Sequence, residues 1–182
     1  IRELVADRDW LFTDDAYLID TSHLHSVCRF ARLVDDPAVL NKVIDLCEYG
    51  RRLAPQFQYQ TDEPFADTYP AQQLFFEALA GRNVDSALDY FRNKAETLAP
   101  AEHGIGPAEV YVALLARLGR DEEAMLAAAK YLPADMPQTG FAPSLVELAA
   151  KTGDYKSLME ACRNRDDVLG FAAGLIESQL TK

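Results

Sequence analysis

The chain has 182 residues, of which 49% are hydrophobic and 26% are charged, so it can bury a core of its own and is not disordered. It contains only 9 glycines and 9 prolines, and no apolar run approaches the ~20 residues of a membrane helix, so we expect neither a collagen-like chain nor a membrane protein. The net charge of −11 repels phosphate backbones, and we therefore expect no nucleic-acid partner.

The amino-terminal segment, residues 1–21, places Trp10, Phe12 and Tyr17 among carboxylates. Two interpretations stay open: the segment covers the exposed end of the first helical hairpin, or it forms the seam to a domain that lies upstream. Because the chain begins with Ile1 rather than methionine, we expect either a piece of a longer protein, whose flanking domains are candidate partners, or a chain that has been trimmed.

The first helical hairpin is predicted over residues 22–55. Apolar residues recur at spacings of three and four from Leu24 to Val34, and again from Leu40 to Cys47. The sequence Asp-Asp-Pro, which ends at Pro37, separates the two rows because proline begins a helix readily and interrupts its interior.

A long aromatic loop is predicted over residues 56–69. Phe57, Tyr59, Phe65 and Tyr69 alternate there with glutamines and acids, and such long connections are uncommon unless they pack or bind. The loop either lies over the junction between the first hairpin and the rest, or it docks a partner.

Three further hairpins are predicted over residues 70–100, 107–133 and 143–164, followed by a capping helix over 165–182. Their turns contain Gly81, Gly119 and Gly153, which lie 38 and 34 residues apart. Segments that alternate polar and apolar residues are nearly absent, so the fold class is all-α. A period in the thirties indicates stacked repeats, and we predict a single helical-repeat domain over residues 1–182.

These hairpins resemble the tetratricopeptide family. The family pattern of a turn glycine followed five residues later by alanine is present at Gly119 and Ala124, and Gly153 is followed by the aromatic Tyr155. Leu158 stands where the family has a small residue. The resemblance implies a right-handed α-α superhelix (α-solenoid) of about four hairpins that binds other polypeptides on its concave face.

We therefore expect a non-catalytic protein–protein interaction or scaffold module that binds a peptide or a partner domain. If the binding groove is acidic, it prefers basic or helical ligands and binds them less tightly as salt rises. A structural spacer within a larger protein is the alternative. The predicted partner contacts lie on first-helix faces: Gln72, Gln73, Glu77, Glu109, Val112 and Arg117.

The cluster that most resembles a metal or catalytic site consists of Asp20, His23 and His25. On a helix, the two histidines lie about 100° to either side of Leu24 and diverge, so we interpret the segment as a capped first turn. A metal-dependent site and a catalytic His–Asp pair stay open as alternatives, although no nucleophile motif accompanies them. We accordingly expect no enzyme, no metal and no cofactor.

Cys28, Cys47 and Cys162 each fall in an apolar helical row, where cysteine acts as a small hydrophobic residue. Their odd number and wide spacing predict reduced thiols and a cytoplasmic location, with a redox pair of Cys28 and Cys47 as the alternative. His103 lies in a glycine-containing loop before Pro107, which we interpret as turn chemistry rather than an anion site.

Overall fold

The computed structural model describes residues 34, 36–53, 69–98, 106–132 and 141–180. Within these ranges the chain is all-helical, which confirms the predicted class for the described residues. Neighbouring helices pack on one another. Eight helices and no strand occur there: α1 (Pro37–Leu53), α2 (Tyr69–Leu79), α3 (Val84–Thr97), α4 (Pro107–Arg117), α5 (Asp121–Tyr131), α6 (Leu145–Thr152), α7 (Tyr155–Asn164) and α8 (Val168–Leu180).

Several expectations fall outside the described residues. They include the amino-terminal segment with its histidine cluster, Cys28, the aromatic loop up to residue 68, and His103. None of the helices that the structure does describe combines the length and the apolar content needed to cross a lipid bilayer.

The chain divides into two compact units, residues 1–87 and 88–182, and the division falls inside α3. In the first unit, α1 packs on α2. Its core contains the aromatic pair Phe75 and Phe76, whose ring centroids lie 5.7 Å apart in an edge-to-face arrangement. The rings are fully buried together with Val43 of α1, so burial of apolar surface holds the two helices together.

In the second unit, each helix from α4 to α8 packs on the next one along the chain, and α6 also contacts α8. Helix α4 lies deepest, because every residue from 107 to 115 is buried. The largest fully buried side chains of this unit are Phe91, Leu114, Leu115, Met125 and Leu148.

Polar caps begin the helices where the sequence places Asp or Ser before an apolar row. Oδ1 of Asp36 accepts a hydrogen bond from the backbone N–H of Ala38 at 3.0 Å, so α1 begins directly after the Asp-Asp pair. At α6, the Ser144 hydroxyl accepts from the Glu147 backbone, and the Glu147 carboxylate accepts from the Ser144 backbone at 2.7 Å. This reciprocal capping box satisfies two backbone donors and lowers the pKa of Glu147.

The three turn glycines share one backbone conformation. Gly81, Gly119 and Gly153 all lie in the left-handed region, with φ of 77°, 73° and 76°. A Cβ atom at any of the three would meet no neighbouring atom, so the requirement is backbone conformation rather than space.

A hydrogen-bonded cluster joins the carboxyl-terminal part of α3 to α5 within the second unit. The Glu96 carboxylate accepts from the Tyr131 hydroxyl at 2.6 Å and from the Lys130 ammonium at 3.2 Å. The Tyr131 ring in turn packs edge-on against Tyr111 of α4, 6.2 Å between centroids. The hydrogen bond that Tyr131 donates is the largest cause that lowers the pKa of Glu96, and the bond that Lys130 donates to the Tyr131 oxygen at 2.8 Å is the largest cause that raises the pKa of Lys130.

The first prediction concerns the left-handed turn at Gly153. Gly153→Ala should lower the free energy of unfolding by about 1 kcal/mol, because the left-handed backbone conformation is strained for any L-residue, although the added methyl group meets no neighbouring atom. Gly153→Asn should lower it less, since asparagine tolerates this conformation. Urea unfolding followed by circular dichroism measures both, and an alanine variant as stable as the wild type would contradict the assignment.

The second prediction concerns acid stability. A carboxyl whose pKa is lowered by folding stabilises the protein above its ordinary pKa, and that contribution is lost as the pH falls through the folded value. Between about pH 6 and pH 3, Glu96→Gln should therefore lose less stability than the wild type. Unfolding curves across this range give the difference, and parallel pH profiles of the two proteins would disprove it.

Candidate functional site

The last helix exposes an apolar face to solvent. Leu169, Ile176 and Leu180 of α8 are 83%, 60% and 74% exposed. At 100° per residue, the exposed apolar residues fall in one band about 140° wide that contains no charge. We call this band the α8 stripe; it consists of Val168, Leu169, Ala172, Leu175, Ile176 and Leu180.

The opposite face of α8 packs on α7 through glycine. Gly174 is buried, and a Cβ atom built there would lie 3.0 Å from Leu158 Cδ2 and 3.2 Å from Met159 Cγ. At Gly170, a Cβ atom would lie 2.7 Å from the Cys162 sulfur. The two glycines, four residues apart, therefore let the helices approach closely, and the large apolar residues of α8 remain on the outside.

The turn before α8 fixes the orientation of the helix. Oδ1 of Asp167 accepts a hydrogen bond from the backbone N–H of Gly170 at 2.9 Å, as a helix-capping residue does. The Arg165 guanidinium donates to the backbone carbonyls of Ala128, at 2.8 Å, and Ala129 near the end of α5. Burial lowers the pKa of Arg165. The Arg165 bonds tie the turn before α8 to the end of α5.

Cys162 lies beneath the beginning of α8. Its sulfur is 3.7 Å from Oδ2 of Asp167, and the residue is buried. Burial is the largest cause that raises the pKa of the thiol, and the negative charge of Asp167 raises it further. The thiol therefore stays protonated at neutral pH, which makes it a poor nucleophile and a packing residue.

Two clefts border α8. One, of about 640 Å³, lies beside its second half and is lined by residues that include Tyr155, Met159 and Leu175. The other, of about 230 Å³, lies beside its first turn and is lined by residues that include Val168 and Phe171. The Arg163 guanidinium stacks 5.3 Å from the Phe171 ring centre at this second cleft. Both clefts lie next to apolar side chains of α8.

The predicted contacts of the first unit lie on α2. Gln72 is buried, so it does not lie on a surface that a partner could contact. Gln73 and Glu77 are partly exposed and bonded to each other, with Gln73 Nε2 donating to Glu77 Oε1 at 2.7 Å. The second oxygen of Glu77 accepts from Asn83 Nδ2 at 2.9 Å, so this carboxylate also holds the turn after α2.

The predicted contacts of the second unit lie on α4. Glu109 and Val112 are buried, whereas Arg117 is partly exposed. Oε2 of Glu109 accepts a hydrogen bond from the backbone N–H of Gly106 at 3.0 Å, and this bond caps the beginning of α4. Charge reversal at Glu109 would therefore perturb the helix itself rather than report on a bound partner.

The metal alternative at Asp20, His23 and His25 lies outside the described residues. In the part of the chain that the structure describes, no group of three or more His, Cys, Asp or Glu residues is placed to hold a metal ion.

Comparison of this chain with protein-family models, with curated proteins and with solved structures finds no match.

The sequence identified α8 as apolar but not which way its apolar side faces. The signal was present in Gly170 and Gly174, because two glycines one turn apart indicate a face of close helix approach. Ser178 extends this small-residue face by one further turn.

The third prediction concerns the Asp167 cap. Asp167→Ala should lower the free energy of unfolding by about 1 kcal/mol and speed hydrogen exchange in the first turn of α8. Asp167→Asn should behave much like the wild type, because asparagine is an equally good capping residue. If the alanine and asparagine variants had equal exchange rates in α8, Asp167 would not be the residue that caps the helix.

Proposed function

We propose that this chain is a non-catalytic protein–protein interaction or scaffold module, built from tetratricopeptide-like helical hairpins in an α-solenoid. It binds a peptide or a partner domain on its surface. The α8 stripe is the observation that carries the proposal. Single exposed aliphatic residues are normal on a protein surface, but here five large ones lie together on one helix. Contiguous apolar patches of this kind mark interaction sites.

The order of the elements supports the repeat interpretation. Helices α4 to α8 pack in chain order, and the turn glycines Gly119 and Gly153 share one left-handed conformation. Each hairpin of such an array covers the apolar side of its neighbour, so an apolar helix side without a neighbour is available for a partner. The α8 stripe is such a side among the residues that the structure describes.

The mode of recognition follows from the shape of the stripe. A band along a single helix fits the apolar face of a second helix or a helical peptide, which packs at 8–10 Å between axes. The bordering clefts beside Met159 and Phe171 offer room for side chains at the margins of such a contact. Gln73, Glu77 and Arg117, which are partly exposed, are additional polar contacts in the proposal.

The proposed module needs no cofactor and acts in the cytoplasm. Cys162 supports this location, because it is a buried free thiol rather than part of a disulfide. The acidic surface of the proposed module disfavours nucleic acid and anionic membranes as ligands.

The fourth prediction tests whether the stripe contacts protein. Benzoylphenylalanine at position 172, within the stripe, should give covalent polypeptide adducts on irradiation in cells. The same group at position 126 is the matched control, because Leu126 of α5 is 65% exposed but lies on another helix. Adducts from position 172 should exceed those from position 126 by at least about tenfold. Equal or absent polypeptide adducts would contradict the proposal and favour a spacer.

A further inference from the structure

The chemistry of the α8 stripe suits contact with an identical stripe. Glu177 is the only ionisable residue of α8, and it projects from the helix outside the band. Two stripes can therefore meet without opposing like charges at the contact, although each chain carries a net charge of −11. A single polar residue, Gln179, falls within the arc.

The area of the stripe is large enough for a dimer contact at the lower limit of size. The exposed fractions of Val168, Leu169 and Leu180 are 75%, 83% and 74%, and those of Leu175 and Ile176 are 46% and 60%. Together with Ala172 these residues expose on the order of 600 Å², the upper range for the largest patch on a monomer. If both stripes were covered completely, two copies would bury about 1,200 Å², which is the lower limit of specific interfaces.

The order of side-chain sizes favours an antiparallel pair. A two-fold axis that crosses the stripe at the level of residue 174 makes the two helices antiparallel. It also brings Ala172 opposite Ile176, so the large residue fills the space that the small one leaves. A parallel pair would set Ala172 against Ala172 and leave a gap in the middle of the contact.

We propose that the α8 stripe binds a second copy of this chain, with the two α8 helices antiparallel. The inference rests on the proposed function, since it names the partner of the same surface. The contact is isologous: the same residues of both copies form it, and the two-fold axis closes the assembly at two chains. Because the contact is small, we expect a weak dimer whose dissociation constant lies well above about 1 µM.

The test is the mass of the full 182-residue chain in solution by sedimentation equilibrium, between about 1 and 300 µM. The mass should rise with concentration from 20.2 kDa toward twice that value. Ile176→Glu and Ala172→Glu should each raise the dissociation constant at least about hundredfold, because each places a charge in the apolar contact. Leu126→Glu, a change at an exposed leucine outside the stripe, should leave it within about twofold.

Circular dichroism should show unchanged helix content in these variants, since positions 172 and 176 are exposed. A wild-type mass that stays at 20.2 kDa throughout would overturn the dimer, as would dimers of Ile176→Glu as tight as those of the wild type. A monomer whose position 172 still crosslinks to other proteins would reject the dimer and leave the proposed function standing. A monomer without polypeptide adducts would reject both.

Discussion

The close approach of α7 and α8 is the constraint on which the functional account depends. Gly174 occupies the contact where a Cβ atom would come within 3.0 Å of Leu158, so α8 turns its smallest residues inward. Because this side of α8 faces α7, the aliphatic residues on the other side are left in water. Asp167 and Arg165 then fix the helix at its beginning through hydrogen bonds to Gly170 and to the end of α5.

This arrangement reverses the usual amphipathic pattern, in which aliphatic residues face the core and small or polar residues face solvent. In α7 the usual pattern holds, since Leu158 and Cys162 are buried and Glu160 is exposed. Exposing Leu169 and Ile176 costs free energy in water, and association that covers them recovers it. The proposed homodimer follows from this exposed apolar surface, because it covers the α8 stripe.

Much of the helical framework was predictable from local patterns. Apolar spacing identified α4 to α8, and Gly119 and Gly153 marked turns because glycine adopts positive φ without strain. The partner-contact residues were harder to predict, because the spacing of apolar residues alone does not show how many sides of a helix are covered by neighbouring helices. Helix α4 is buried on nearly all sides, so Glu109 and Val112 lie inside rather than on a surface. The outward stripe of α8 likewise depends on tertiary packing.

The most direct measurement is the reactivity of a thiol placed on α8 by Leu169→Cys. At about 1 µM, where the proposed dimer dissociates, alkylation of residue 169 in the folded protein should approach the rate of the urea-unfolded chain. Cys162, which is buried beneath the same helix, should react far more slowly, and peptide mass spectrometry separates the two sites. Slow alkylation at residue 169 would show that α8 faces inward and would contradict the account.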